Sequence, residues 1–221
     1  MEHWEALCHG GYRFVYDDAL FRPGTDTFLL SSLPRLKPGL RVCDLGCGTG
    51  LLGLLLLQRQ PGLTVTGIDI QPAAIRLAEK AAAENGLTDC LSFQAADLRN
   101  AKVLFPTGSF DLAVCNPPYY PCTSGALSGD DARRTARAEV ECTLEDICRA
   151  AAYLLRWGGS FCLVHKPERL TDLLCALRGA GLEPKRLKLL CHSPTHPPYG
   201  MVVEAVKQGR PGLSILPVTE E

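Results

Sequence analysis

The chain has 221 residues, 23 basic against 24 acidic, a formal net charge of −1 and 46% hydrophobic residues. That balance lacks the overall basic excess by which many nucleic-acid proteins are recognised, and no apolar run is long enough to span a membrane, since Leu51–Leu57 is cut off at Gln58 and Arg59. The size suits one large α/β domain with a buried core.

The start, Met1-Glu2-His3-Trp4-Glu5, places no basic residues ahead of an apolar stretch, so no secretory signal is expected. The 11 cysteines are odd in number and fall in apolar runs, as Cys43, Cys115, Cys162 and Cys191 do, where a thiol serves as a small hydrophobe. There is no Cys-x-x-Cys pair, and Cys191-His192 with His196 lacks a second half-site. Neither a disulfide framework nor a metal site is expected, and a reducing, cytoplasmic setting fits best.

Residues before Leu33 are too few for a separate domain. From Leu40 onward short apolar runs alternate with helical patterns, which predicts βαβ units and a parallel sheet. Arg41–Leu45 reads as the first strand, Leu51–Gln58 as its helix and Thr64–Ile70 as the second strand. Pro72 opens a predicted helix that runs through Ala83 and stops at Asn85-Gly86. Leu91–Ala95 and Phe110–Cys115 read as the third and fourth strands. Asp146–Leu155 predicts a helix ending at Gly158-Gly159, with Ser160–Val164 as the fifth strand. Pro167–Arg178 predicts a helix closed by Gly179 and Gly181. Arg186–Cys191 and Met201–Val206 are then expected to pair as the last two strands. The Pro121–Asp131 stretch reads as a loop.

Asp44-Leu45-Gly46-Cys47-Gly48-Thr49-Gly50 follows a strand and opens a helix. Gly48-x-Gly50-x-x-Gly53 also satisfies the dinucleotide fingerprint, so an NAD dehydrogenase enters the comparison. Asp44 discriminates, because a pyrophosphate on the helix N-terminus would be repelled by a carboxylate at the mouth of the same loop. A ligand carrying an ammonium and a sulfonium would be attracted. Asp69 closes the second strand, about 20 residues beyond the glycines, where an acid grips ribose hydroxyls in such folds. Asp97 follows the third strand, where a carboxylate can accept from an adenine amino group.

Asn116-Pro117-Pro118-Tyr119 stands directly behind the fourth strand. A planar, conjugated NH2 group is a poor nucleophile, because its lone pair is delocalised. The Asn116 oxygen and the Pro117 carbonyl can accept its two N–H bonds and leave the lone pair facing an electrophile. Asn116 is pushed to an extended conformation by the proline after it, and Pro117 and Pro118 carry no competing N–H. Tyr119 can stack on a flat substrate, worth about 1–3 kcal/mol for a nucleobase. Local basic clusters, Arg133-Arg134 with Arg137, Lys185-Arg186 with Lys188, and Arg35, Lys37 and Arg41, permit a polyanionic partner.

Taken together, Asp44–Gly50, Asp69, Asp97 and Asn116–Tyr119 resemble the motif series of class I S-adenosylmethionine-dependent methyltransferases that modify exocyclic or amide nitrogens. The resemblance spans roughly Phe21 to Val206. It implies a Rossmann-like fold with a mostly parallel seven-stranded sheet, helices on both faces and an antiparallel last strand. It implies S-adenosylmethionine as cofactor, held by Thr25, Asp44, Gly46, Cys47, Gly48, Gly50, Asp69, Ile70, Asp97, Leu98 and Asn116. Catalysis would fall to Asn116, Pro117, Pro118 and Tyr119, with no metal.

Phe21–Leu30, Ala136–Glu139, Lys166–Leu170, Val203–Ala205 and Pro211–Leu213 are similar to the bacterial valine-tRNA adenine-N6 methyltransferases, whose members methylate the adenine beside the anticodon. A departure is Ala138, where that subfamily commonly has His. This likeness implies a tRNA partner, reached through Arg133, Arg134, Arg137, Lys185, Arg186 and Lys188, and a monomer. Residues 1–32 are expected to pack on the core and cofactor site, and residues 33–221 to form the methyltransferase domain. Glutamine-N5 methylation of a release factor, guanine-N2 methylation of ribosomal RNA and DNA adenine methylation pose the same geometric problem. A non-catalytic binding module would not need Asp44, Asp69, Asp97 and Asn116 together.

Overall fold

The computed structural model describes residues 1–8, 11–18, 20, 24–117, 142–193 and 195–220. The chain opens with a hairpin, β1 (Glu2–Ala6) and β2 (Arg13–Asp17), paired antiparallel, followed by α1 (Thr25–Ser32). The βαβ series predicted from Leu40 onward then unfolds in order: β3 (Arg41–Leu45), α2 (Leu51–Arg59), β4 (Thr64–Asp69), α3 (Pro72–Glu84), β5 (Leu91–Ala95), a 3-10 turn (Leu98–Asn100), the short α4 (Ala101–Leu104) and β6 (Phe110–Cys115). After it come α5 (Leu144–Leu154), β7 (Leu155–His165), a 3-10 turn (Pro167–Arg169), α6 (Leu170–Gly179), β8 (Leu182–Cys191), β9 (Gly200–Lys207) and two short strands, β10 (Ser214–Ile215) and β11 (Thr219–Glu220).

Across the main sheet the order is β5-β4-β3-β6-β7-β9-β8. The first five of these strands pair parallel, and β9 runs antiparallel to both β7 and β8. This is the expected seven-stranded, mostly parallel sheet with its last core strand reversed. The short β10 and β11 pair with β8 and cover its edge. Strand order reverses direction between β3 and β6, and such switch points open a crevice at the carboxyl ends of the strands.

The sheet is covered on both faces, so its strands read as continuous apolar runs. Successive residues point to opposite sides. Cys43, Ala113, Cys115, Phe161, Leu163, Met201 and Val203 join one buried cluster with α5 and α6. Val42, Leu112, Val114, Cys162, Val164 and Val202 join the other, with α1, α2, α3 and the hairpin residues Phe14 and Val15. The hairpin is tied to α3 through Asn85, whose Oδ1 accepts from Arg13 N at 2.8 Å while its Nδ2 donates to Arg13 O at 2.6 Å.

Several boundaries differ from expectation, two of them through bulges. Gly158-Gly159 does not stop a helix. Helix α5 ends at Leu154, and β7 starts at Leu155 with a bulge, because the register against β6 shifts between Phe110 and Leu112. Gly158 lies at φ 73°, and a Cβ on Gly159 would stand 3.0 Å from the carbonyl oxygens of Arg156 and Asp111, so both glycines serve the bulge. Likewise β8 begins at Leu182, four residues before the expected Arg186, and its register shifts between Pro184 and Arg186. A proline cannot donate to the ladder, and the bulge falls there.

Candidate active site

Strand β3 ends in a turn built from three glycines in the left-handed region, Gly46 (φ 72°), Gly48 (φ 52°) and Gly50 (φ 79°). Gly46 N and Cys47 N both donate to Ile68 O, at 2.8 and 3.0 Å. Gly48 N donates to Asp69 Oδ2 at 2.8 Å, and Gln71 N to Asp69 Oδ1 at 2.9 Å. The ends of β3 and β4 are thereby locked together, and the Asp69 carboxylate is held at the rim. A Cβ at Gly46 or Gly48 would meet nothing. The turn is bare on the side facing the crevice.

That crevice is a cavity of about 510 Å³. Of the expected cofactor residues, Gly46, Gly48, Asp69, Ile70, Asp97, Leu98 and Asn116 line it, with Pro117 from the expected catalytic set. Asp44 and Cys47 line a smaller recess beside it, together with Thr27 and Asn116. Gly50 turns the chain into α2, and a Cβ there would stand 2.6 Å from Phe93 Cζ. Thr25 is exposed at the start of α1 and lines neither space. Its neighbour two residues on, Thr27, takes the place beside Asn116. Pro118, Tyr119, Arg133, Arg134, Arg137, Ala138 and the Pro121–Asp131 stretch lie outside the described residues.

Charge and hydrogen bonding in the site are asymmetric. Asp44 is 1% exposed, and burial, reinforced by the Asp69 charge, pushes its carboxyl to about 8. Asp97 is held below the usual carboxylate range by Arg99, whose Nε approaches its two oxygens at 3.0 and 2.9 Å. The thiols here are protonated: burial pushes Cys142 up to about 11 and raises Cys47 and Cys115 well above the ordinary thiol value. None is a thiolate nucleophile. Among the described residues, two buried side-chain oxygens have no hydrogen-bond partner, Asp44 Oδ2 and Asn116 Oδ1. The Asn116 Nδ2 is occupied, donating to Thr27 Oγ1 at 2.8 Å. An unpartnered buried acceptor is costly, about 1–3 kcal/mol, and two at one crevice suit a ligand that brings donors or positive charge.

Sequence reasoning missed part of the wall. Cys142, Thr143, Leu144 and Glu145 around the start of α5, His165 at the end of β7 and Arg169 beyond it also line the cavity. The His165 Nδ1 accepts from Lys166 N at 2.8 Å, so its proton sits on Nε2, and burial, then the Arg169 charge, lowers its pKa. Its place at the carboxyl end of a parallel strand was the available signal. The second basic cluster is not uniformly free. Arg186 pairs through Nε with the buried Glu204, and its Nη2 donates to Leu33 O at 2.9 Å. Lys185 Nζ donates to Arg210 O at 3.1 Å. Arg186 is thus engaged within the fold, by Glu204 and by the Leu33 carbonyl.

The methyltransferase domain family matches residues 36–172. The chain belongs to that family. It is 33% identical over 179 residues to the tRNA1(Val) (adenine(37)-N6)-methyltransferase of Dickeya chrysanthemi, covering 78% of this chain and 70% of that one. To the protein of the same name from Porphyromonas gingivalis it is 35% identical, over 69% of this chain and 61% of the other. The methyltransferase thus spans 61 to 70% of these relatives. Among solved structures, a predicted O-methyltransferase of Agrobacterium tumefaciens superposes with a TM-score of 0.71 at 21% identity, covering 88% of this chain and 86% of that one. TrmN of Thermus thermophilus superposes with 0.57 at 24% identity, over 82% of this chain and 48% of the other. These likenesses confirm the class I sheet. They also remove the dehydrogenase reading of the glycine turn.

Proposed function

We propose that this methyltransferase transfers a methyl group from S-adenosylmethionine to the N6 amino group of an adenine in tRNA, the adenine beside the anticodon of valine tRNA. The cofactor supplies, when bound, an electrophilic methyl on a sulfonium and a positively charged amino acid end. The residues present fit it: Asp44 offers an unpartnered carboxylate oxygen to that charge, and the glycine turn leaves room against the backbone. In this reading Asp69, at the end of β4 and lining the cavity, accepts from the ribose hydroxyls. Asp97, which also accepts from Arg99, takes in the same reading the adenine amino group, with Ile70 and Leu98 as apolar walls.

One observation carries the reading of the acceptor. Asn116 Oδ1 is buried without a partner at the crevice, while its Nδ2 is tied back to Thr27. An oxygen so presented accepts an N–H of the substrate amine. As that nitrogen becomes cationic its protons become stronger donors, so the bond strengthens on the way to the transition state. The rest of the work is positioning, which can supply about 7–11 kcal/mol. The target base has to leave its stack, which costs least in a single-stranded loop. A cytoplasmic setting, where tRNA is available, accords with this substrate. Among the described residues no helix is long and apolar enough to cross a membrane.

The test is methylation of an unmodified valine tRNA transcript, followed by digestion and mass mapping. N6-methyladenosine beside the anticodon is expected, and Asn116→Ala should lower kcat by about 100-fold or more. Methyl transfer to a release-factor glutamine with the transcript untouched would replace this substrate assignment.

A further inference from the structure

Thr27 lines the small recess together with Asp44 and Asn116. It stands in the first turn of α1, 5% exposed, 89 positions before the asparagine to which it is bonded. A side-chain amide has two nearly equivalent ends. Turned one way, Asn116 presents an acceptor to the crevice. Turned the other way, it presents two donors, which would face the N–H donors of an incoming amine. In the structure Nδ2 donates to Thr27 Oγ1 and Oδ1 is buried without a hydrogen-bond partner; since a hydroxyl can serve either end of an amide, the bond holds the side chain in place.

The helix bearing Thr27 is itself anchored from behind. Leu30 is fully buried. The carbonyls of its last turn and just beyond, which a helix cannot satisfy internally, are taken by two arginines: Arg59 donates to Ser31 O and, at 3.2 Å, to Pro34 O, and Arg186 donates to Leu33 O at 2.9 Å. The hydroxyl is therefore presented from an element whose position the core sets. A free rotor would not do this.

We infer that Thr27 is a positioning residue of the transfer reaction: its hydroxyl, accepting from Nδ2, tethers the Asn116 side chain to the core-anchored α1 while the amide oxygen stays free for the acceptor amine. The inference rests on the proposed role of Asn116 and adds to it what holds that side chain in place. It also makes α1, which lies outside the residues matched by the family, part of the working site. Thr27 does not touch the cofactor in this scheme. Its loss should leave cofactor binding alone.

The experiment compares Thr27→Val, which keeps shape and removes the hydroxyl, with Thr27→Ser, which restores it, and with Asn116→Ala, on the valine tRNA transcript. Thr27→Val should lower kcat by about 10- to 100-fold, the scale of a misplaced reacting geometry, with KM and S-adenosylhomocysteine affinity within about twofold of wild type. Thr27→Ser should recover most of the loss. In the Asn116→Ala background Thr27→Val should cost nothing more, since the group it tethers is gone. A readout independent of turnover is the side-chain amide signal of Asn116 in 15N-labelled protein, where Thr27→Val should speed exchange of the NH2 protons with water.

If Thr27→Val left kcat and the exchange rate intact while Asn116→Ala abolished activity, the inference would fall and the role of Asn116 would stand. An unchanged kcat in Asn116→Ala would remove both. A Thr27→Val variant that lost cofactor affinity and thermal stability in step with activity, unrescued by Ser, would make Thr27 a packing residue and overturn the inference.

Discussion

Asp44 lies one residue before the end of β3, next to Asp69 and shielded from water, with a carboxyl pushed to about 8 and one oxygen unpartnered. In the ligand-free protein at neutral pH it is mostly protonated. The cationic amino acid end of the cofactor favours the ionised form, so binding should release a proton at any pH below about 8. The affinity for S-adenosylhomocysteine should therefore climb between pH 6 and 8, by up to about tenfold per unit, and level off above. Calorimetry in buffers of different ionisation heat should show the released proton, and Asp44→Asn should abolish the slope. A flat profile in wild type would mean that Asp44 is ionised before the ligand arrives. The same shift has a stability sign. The folded value lies above the unfolded value of about 3.9, so the folded state holds the proton longer. This contribution is fully present below about pH 4 and is lost as pH rises through about 8, which urea unfolding of the ligand-free protein at pH 6 and pH 9 would register.

Among the elements, the glycine turn depends on one contact that its own residues do not reveal. A Cβ on Gly67, in the middle of β4, would stand 2.6 Å from Phe93 Cδ1 and 2.7 Å from Cys47 Sγ. Gly67→Ala must push either β5 or the turn aside. Overpacking of this kind costs about 1–3 kcal/mol, and where the turn gives way S-adenosylhomocysteine affinity should fall with it. Urea midpoints and calorimetry on the one variant check both; stability lost with affinity intact would mean that Phe93 alone gives way. Local chemistry made much of the architecture readable: Pro72 and Asn85-Gly86 bracket α3, and the strand ends carrying Asp44, Asp69, Asp97 and Asn116 fall where alternation placed them. What stayed hidden was set by partners distant in the chain. Gly158-Gly159 reads as a helix stop until Phe110 and Leu112 on β6 show a bulge. The β1–β2 hairpin has no pattern of its own that outweighs its polar residues, and it leans on α3 through Asn85, 72 positions away from Arg13. Thr27, paired across 89 positions, is invisible for the same reason.

For the molecule as a whole, a net charge of −1 would leave affinity for the proposed tRNA substrate to local patches, and some of the basic residues are already engaged within the fold. Arg186 on β8 joins Glu204 on β9 and the carbonyl that follows α1, with side-chain exposures of 16% and 8% for the ion pair. Removing one member of a pair this well buried leaves the other charge stranded, at a cost of about 3 kcal/mol or more. For a chain of this size that corresponds to a fall in Tm of about 6–12 °C. Arg186→Ala should show it, and catalysis should weaken because α1 loses the anchor that sets Thr27. A phosphate contact predicts something else. Each one contributes about 0.9 to the slope of log affinity against log salt. If Arg186 is internal, the folded variant, assayed well below its Tm, should bind tRNA with the wild-type salt slope. The triple replacement of Arg133, Arg134 and Arg137 should flatten that slope by about 2 to 3 if those residues meet the backbone. A slope reduced by about 0.9 in Arg186→Ala, with Tm unchanged, would return Arg186 to the RNA interface and leave α1 held by Arg59 alone.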